Sequence, residues 1–239
     1  MTICKSLGLP NFHILEPIGF AGGIWLLWNG EEIHCDAISV MQQEIHACIQ
    51  VLSSPTAWLL SAIYASPCFN TRKILWDNLK NFADAHNLPW LLMRDFNEIL
   101  TSTEKFGGQP INHRRAMLFK DCLDHCGLID MGFSGPRFTW NNQRQVGSFI
   151  GERLDRCFCN GAWAQLFPDN KVLHLPKLHS DHCPILLHTH SILPSRTARP
   201  FRFEIIWLSD PSLSTVVFDS WSNANFTQGA KVFVDKVSV

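Results

Sequence analysis

Four polar clusters in this sequence combine residue types that can move protons and hold phosphate, and each stands at the end of an apolar, strand-like run. Ser180-Asp181-His182 directly precedes an apolar run that begins at Cys183. An imidazole can take or give a proton near neutral pH, an effect of roughly 10²–10⁴-fold in rate. The chain has eleven histidines, so an isolated one reads as structural; the flanking Asp181 and the strand mouth single out His182. Glu152-Arg153-Leu154-Asp155-Arg156, read as a strand, puts Arg153 and Asp155 on one face and Leu154 on the other. It is either a surface ion-pair ladder or an aspartate that orients a histidine. Asp95-Phe96-Asn97 follows the run 90–93. An acid and an amide two residues apart at a strand end point the same way, where they can orient water, protonate a leaving oxygen or cap a turn. Tyr64, the single tyrosine, closes the run 57–65. Its hydroxyl can donate to a phosphate oxygen, or simply be the wet tip of a core aromatic.

The elements that must position these groups follow from periodicity. The runs at 22–28 (GGIWLLW), 33–40 and 44–52 read as strands, and 57–65 (AWLLSAIYA) as a strand buried on both faces. Asn29-Gly30 and Ser53-Ser54-Pro55 supply turns between them. A helix is predicted over 71–86, with Asn70 as N-cap and Ile74, Leu75, Leu79 and Phe82 on one face. It feeds the buried strand 90–93, whose C-terminal end carries Arg94-Asp95, the end that ligand sites on α/β sheets favour. A second helix fits 114–126 with Phe119, Cys122, Leu123 and Cys126 inward and Gly127 as its stop. Short strands are predicted at 137–140, 152–159, 171–175 and 183–188. The texture turns to Pro, Ser, Thr and Arg after Ser191, which sets the domain boundary: 1–190 as the folded domain, 191–239 as linker and tail with Phe201, Phe203 and Trp207 as aromatic anchors.

Composition narrows the function classes. With 46% hydrophobic and 17% charged residues the chain can build a large core, which argues against wholesale disorder. The formal net charge of −1 gives no global basic footprint, so any nucleic-acid contact must be local. The nine cysteines show no zinc spacing, and the start lacks a signal-peptide pattern, so they are read as reduced core thiols in a cytoplasmic or nuclear protein without disulfide partners. No apolar run approaches the roughly 18 residues of a membrane span.

The order Tyr64, Asp95-x-Asn97, Arg153-x-Asp155, Ser180-Asp181-His182 resembles the endonuclease/exonuclease/phosphatase superfamily. The connecting text is similar to plant LINE-type non-LTR retrotransposon endonucleases: Glu104-Lys105-Phe106-Gly107-Gly108, Phe138-Thr139-Trp140, Asn160 with Trp163, Phe167-Pro168, and Phe201-Arg202-Phe203-Glu204 with Trp207-Leu208. The similarity runs from about Gly19 to Trp221. It implies an α/β fold of the DNase I-like kind, a four-layer sandwich of two packed mixed β-sheets flanked by helices. It also implies a monomer that hydrolyses phosphodiesters with Mg²⁺ (or Mn²⁺) and meets DNA at the phosphate backbone. The alternatives are a non-catalytic retroelement remnant and a phosphatase of the same superfamily.

Carried over residue by residue, the resemblance makes His182 the general base, Asp155 its orienting carboxylate, and Asp95 the group that serves water or the leaving oxygen. Asn97 and Tyr64 would contact phosphate. Asp181 would lie beside the metal, and Ser180, Arg153 and Trp140 would support the site. Two departures stand out. Arg94 replaces the glycine usual before Asp-Phe-Asn, although glycine permits backbone angles that arginine resists; it also sets a long cation beside the phosphate site. And only 21 residues precede Gly22-Gly23, where the family carries a strand ending in Asn and another ending in a metal-binding Glu. The expectation is a domain with its first strands and its principal metal carboxylate missing, a tail that once led into a reverse transcriptase, and impaired activity.

Overall fold

A computed structural model describes residues 7–17, 19, 22–144, 147–190 and 212–222. The chain divides into two compact units, Met1–Ile192 and Leu193–Val239. The expected aromatic anchors Phe201, Phe203 and Trp207, and the predicted boundary, lie outside the described residues. The described residues of the second unit form a helix, Leu213–Ser222.

The first unit is α/β and centres on a six-stranded mixed sheet. Its strands are β3 (Ile33–Met41), β4 (Glu44–Val51), β5 (Ala57–Tyr64), β6 (Trp90–Asp95), β8 (Leu128–Asp130) and β11 (Asp155–Asn160), in the order β3-β4-β5-β6-β11-β8. Only β5 and β6 run parallel. Parallel neighbours need a crossover, and helix α1 (Phe69–Ala85) supplies it. Its Leu75, Trp76, Leu79 and Phe82 pack with Phe119 and Cys122 of α2 (His113–His125) onto Leu59, Ile63, Leu92 and Phe158 of the sheet. The opposite face carries Ala47, Trp58, Leu91 and Cys159 against Trp163 of a short helix α3 (Gly161–Leu166) and Phe167. Leu26 and Trp28 of β2 (Ile24–Trp28) and Leu187 of β13 (Ile185–His188) also pack there. Three small antiparallel ladders complete the unit: β1 (Asn11–Leu15) with β2, β12 (Lys171–His174) with β13, and β7 (Lys105–Phe106), β10 (Gly151–Glu152) and β9 (Trp140–Asn141) in the order β7-β10-β9.

Several local expectations are corrected. The first helix starts two residues early, capped at Cys68 rather than Asn70, and Ile74 is exposed while Arg72 takes a buried place on the inner face. Arg72 can do so because its Nη2 donates to the buried Glu98 at 2.6 Å and its Nη1 to the Ser66 carbonyl at 2.5 Å. The predicted strand 152–159 is two strands, broken at Arg153-Leu154. The break exists because Thr139 Oγ1, fully buried, accepts from the backbone N–H of both Leu154 and Asp155 at 2.9 Å, satisfying donors the ladder would otherwise use. The strand predicted at 137–140 shrinks to Trp140–Asn141. Gly127, in the left-handed region at φ 62°, ends α2 as expected. All eight described cysteines are free thiols. No described helix is long and apolar enough to cross a membrane.

Candidate active site

Tyr64, Asp95 and Asp155 end up side by side because three adjacent strands place them in register: Tyr64 pairs with Asp95 across β5–β6, and Asp95 with Asp155 across β6–β11. Two carboxylates directly opposite each other repel. His182 relieves this from above the strand ends. Trp140 and His182 form an isolated antiparallel bridge, and the Asn141 N–H donates to the Asp181 carbonyl at 3.1 Å, so β9 delivers the histidine. Ser180 Oγ accepts from the His182 N–H at 3.0 Å and fixes the local turn. The result is a hydrogen bond of 2.8 Å between His182 Nδ1 and Asp155 Oδ2. A carboxylate accepts, so Nδ1 carries the proton and Nε2 is left bare to act as a base.

The electrostatics follow from burial and charge. Burial, then the facing Asp155, push Asp95 up to about 6, against the lowering effect of the Asn97 backbone N–H, His182 and Arg94. Burial pulls His182 down, but the hydrogen bond and charge of Asp155, with help from Asp95 and Asp181, leave it raised. One carboxyl of the pair is therefore able to hold a proton while the other stabilises an imidazolium, the separation of roles that acid–base work requires.

The other expected residues divide. Asn97, left-handed at φ 46°, donates from Nδ2 to both the Ala65 carbonyl at 2.8 Å and Asp95 Oδ2 at 2.9 Å, and its backbone N–H reaches Asp95 Oδ1 at 2.9 Å. Its amide donors are thus already engaged, and in this arrangement it acts by holding Asp95. Tyr64 opens on an adjacent cleft lined by Glu16, Gly22, Gly23, Gln43 and Ser66, while His182 and Asp155 line a cleft of about 330 Å³ with Arg94, Ser180 and Pro184. Asp181 sits at the rim, its Oδ2 accepting from Trp140 Nε1 at 3.0 Å. Arg153 turns away: it donates from Nη1 and Nη2 to Asp130 at 2.8 and 2.7 Å, and joins Arg156 on Glu104. Two contributors were not singled out from sequence. Thr139 anchors the backbone of Asp155, and Lys177 donates from Nζ to the Asp181 carbonyl. A lone threonine between aromatics and a lone lysine in a loop carry no spacing signal.

Among the described residues no three His, Cys, Asp or Glu side chains gather to hold a metal. The nearest carboxylates already accept hydrogen bonds within the chain: Asp155 from His182, Asp95 from Asn97, Asp181 from Trp140.

No protein-family model matches the sequence, and no curated protein matches it. Solved structures do. The endonuclease domain of TRAS1, a telomere-specific non-LTR retrotransposon, superposes with a TM-score of 0.54 at 14% identity, over 74% of this chain and 78% of that one. The fold is DNase I-like. Among looser matches are TDP2 from D. rerio complexed with a single-stranded DNA product (TM-score 0.46, 15% identity, 77% and 78% covered) and the human nocturnin catalytic domain with bound sulfate (0.44, 15%, 79% and 76%). At these identities the likeness is one of fold.

Proposed function

We propose that the first unit carries a phosphodiester-hydrolysing site of nuclease type, with the DNA backbone as its substrate class and a plant LINE-type non-LTR retroelement as its origin. The observation that carries the reading is the His182–Asp155 hydrogen bond next to Asp95, which pairs with Asp155 across β6–β11. Asp155 keeps the His182 Nδ1 protonated. Nε2 takes a proton from the attacking water as its oxygen bonds to phosphorus, and Asp95 gives its proton to the leaving oxygen as the ester bond breaks. Asn97 positions Asp95, and Tyr64 borders the neighbouring cleft along which the backbone would continue. Likeness of fold to the TRAS1 endonuclease domain and the retroelement-like connecting motifs support the substrate class.

Turnover is slow in this reading. A negatively charged transition state needs cations close by, and Mg²⁺ is held through one or two carboxylates with room for water. Among the described residues no three such donors gather, and no step is assigned to a metal. The test is plasmid nicking by the full chain and its His182→Ala variant. Slow nicking by the wild type that drops by about 10²–10⁴-fold in the variant is expected. Equal rates would overturn the proposal in favour of a non-catalytic remnant, and phosphate release from small monoesters without nicking would favour a phosphatase.

A further inference from the structure

We infer that Arg94 is an anion-binding residue of this site, holding a phosphate of a nucleic-acid backbone over the His182–Asp155 pair; the inference rests on the reading just given. Arg94 stands in β6, hydrogen-bonded on both sides, paired with Ile63 of β5 and Arg156 of β11. Its φ of 106° lies where L side chains are rarely found. Conformations of this kind are strained and persist when the surroundings over-determine them, often at functional sites. Met93 and Arg94, successive residues of the strand, both line the cleft of His182, Asp155 and Ser180.

The guanidinium is exposed there, and among the described residues it has neither an ion-pair nor a hydrogen-bond partner. Other arginines of the unit are already engaged: Arg72 and Arg115 on Glu98, Arg153 and Arg156 on Glu104 and Asp130. Lys177 is tied to the Asp181 carbonyl. The carboxylates of Asp155 and Asp181 flank His182 and repel an incoming phosphate. A free planar fork of donors in the same cleft is suited to offset that repulsion, since guanidinium matches phosphate with two parallel hydrogen bonds.

The experiment measures binding of a short fluorescent single-stranded DNA to the full chain in EDTA across a salt series. R94G is compared with wild type, R94K and K120A, the last removing a cation on the outer helix. Loss of one phosphate contact lowers the steepness of log K against log salt by about 0.7. R94G is expected to show that change and about tenfold weaker binding, with R94K retaining the slope and K120A unaffected. R94G should also melt a few °C higher, which confirms a folded variant and reports the strain released. Wild type that binds no DNA, or an R94G variant with unchanged affinity and slope, would overturn the inference. An unchanged R94G variant leaves the dependence of nicking on His182 intact, whereas wild type that binds no DNA but nicks it in a His182-dependent way would remove the Arg94 inference alone, so the two readings fail separately.

Discussion

At the scale of single residues the site rests on one hydrogen bond. Asp155 decides which nitrogen of His182 carries the proton, and so which is bare. An asparagine there can turn its amide toward Nδ1 and donate, moving the proton to Nε2 and removing the base. Asp155→Asn should therefore lower nicking about as far as His182→Ala, roughly 10²–10⁴-fold. It should also lower the His182 pKa as followed by NMR, since Asp155 is what holds it up; an unchanged titration would show that the pair is not coupled. The Asp155 backbone N–H keeps its bond to Thr139 Oγ1, so the strand should stay in place. That His182 meets Asp155 could be expected from the sequence because each of their polar clusters, like that of Asp95, stands at one end of an apolar run. Thr139 was not legible, because its role lies in two backbone donors fifteen and sixteen residues away. Arg94 was legible as an anomaly, and the positive φ supplies its physical content.

At the scale of elements, the join between β6 and β11 depends on buried charge. Arg156 is fully buried and donates from both terminal nitrogens to Glu104 at 2.6 Å, and Asp130 and Arg153 complete two cations with two anions. Glu104 also accepts from the Leu100 and Thr101 N–H groups, closing the turn that follows β6. Glu104→Gln keeps an acceptor for those donors but leaves Arg153 and Arg156 sharing the single carboxylate of Asp130, at a cost of about 3–5 kcal/mol in urea unfolding. Adding Arg156→Met should restore part of that loss, because no unpaired buried charge remains; a double variant less stable than the single would refute the account. The same segment explains why Glu104-Lys105-Phe106-Gly107-Gly108 is so recognisable in sequence. Gly107 has φ 73°, and a Cβ there would lie 2.2 Å from the Phe149 carbonyl. The strand 44–52 was legible from its loose alternation and 57–65 from apolar density. The ladder of β7, β9 and β10 was not, because strands of two residues have no period to read.

At the scale of the whole molecule, stability against pH should be flatter than its buried groups suggest, because two of them oppose each other. Asp95 holds its proton up to about 6, against 3.8 for a free carboxyl, so between about pH 4 and 6 the folded state carries the extra proton and stability falls as pH rises. His46 does the reverse. It is fully buried between Ser61, to which its Nδ1 lies 2.6 Å away, and the ring of Phe82 stacked at 3.9 Å. Burial, then the charge of His86, lower it to about 4 from 6.5. Over that range the unfolded chain carries the extra proton, and stability rises with pH. Each displacement is about two units, on the order of 3 kcal/mol, and they nearly cancel. His182, raised, adds stability below pH 6.5 that is lost only above that window. Asp95→Asn removes the falling contribution, so its melting temperature relative to wild type should climb from pH 4 to 6. His46→Gln removes the rising one, so its relative melting temperature should decline over the same range. Parallel pH profiles for wild type and both variants would mean that neither group titrates as its surroundings dictate, and the acid–base assignment of Asp95 would fall with it.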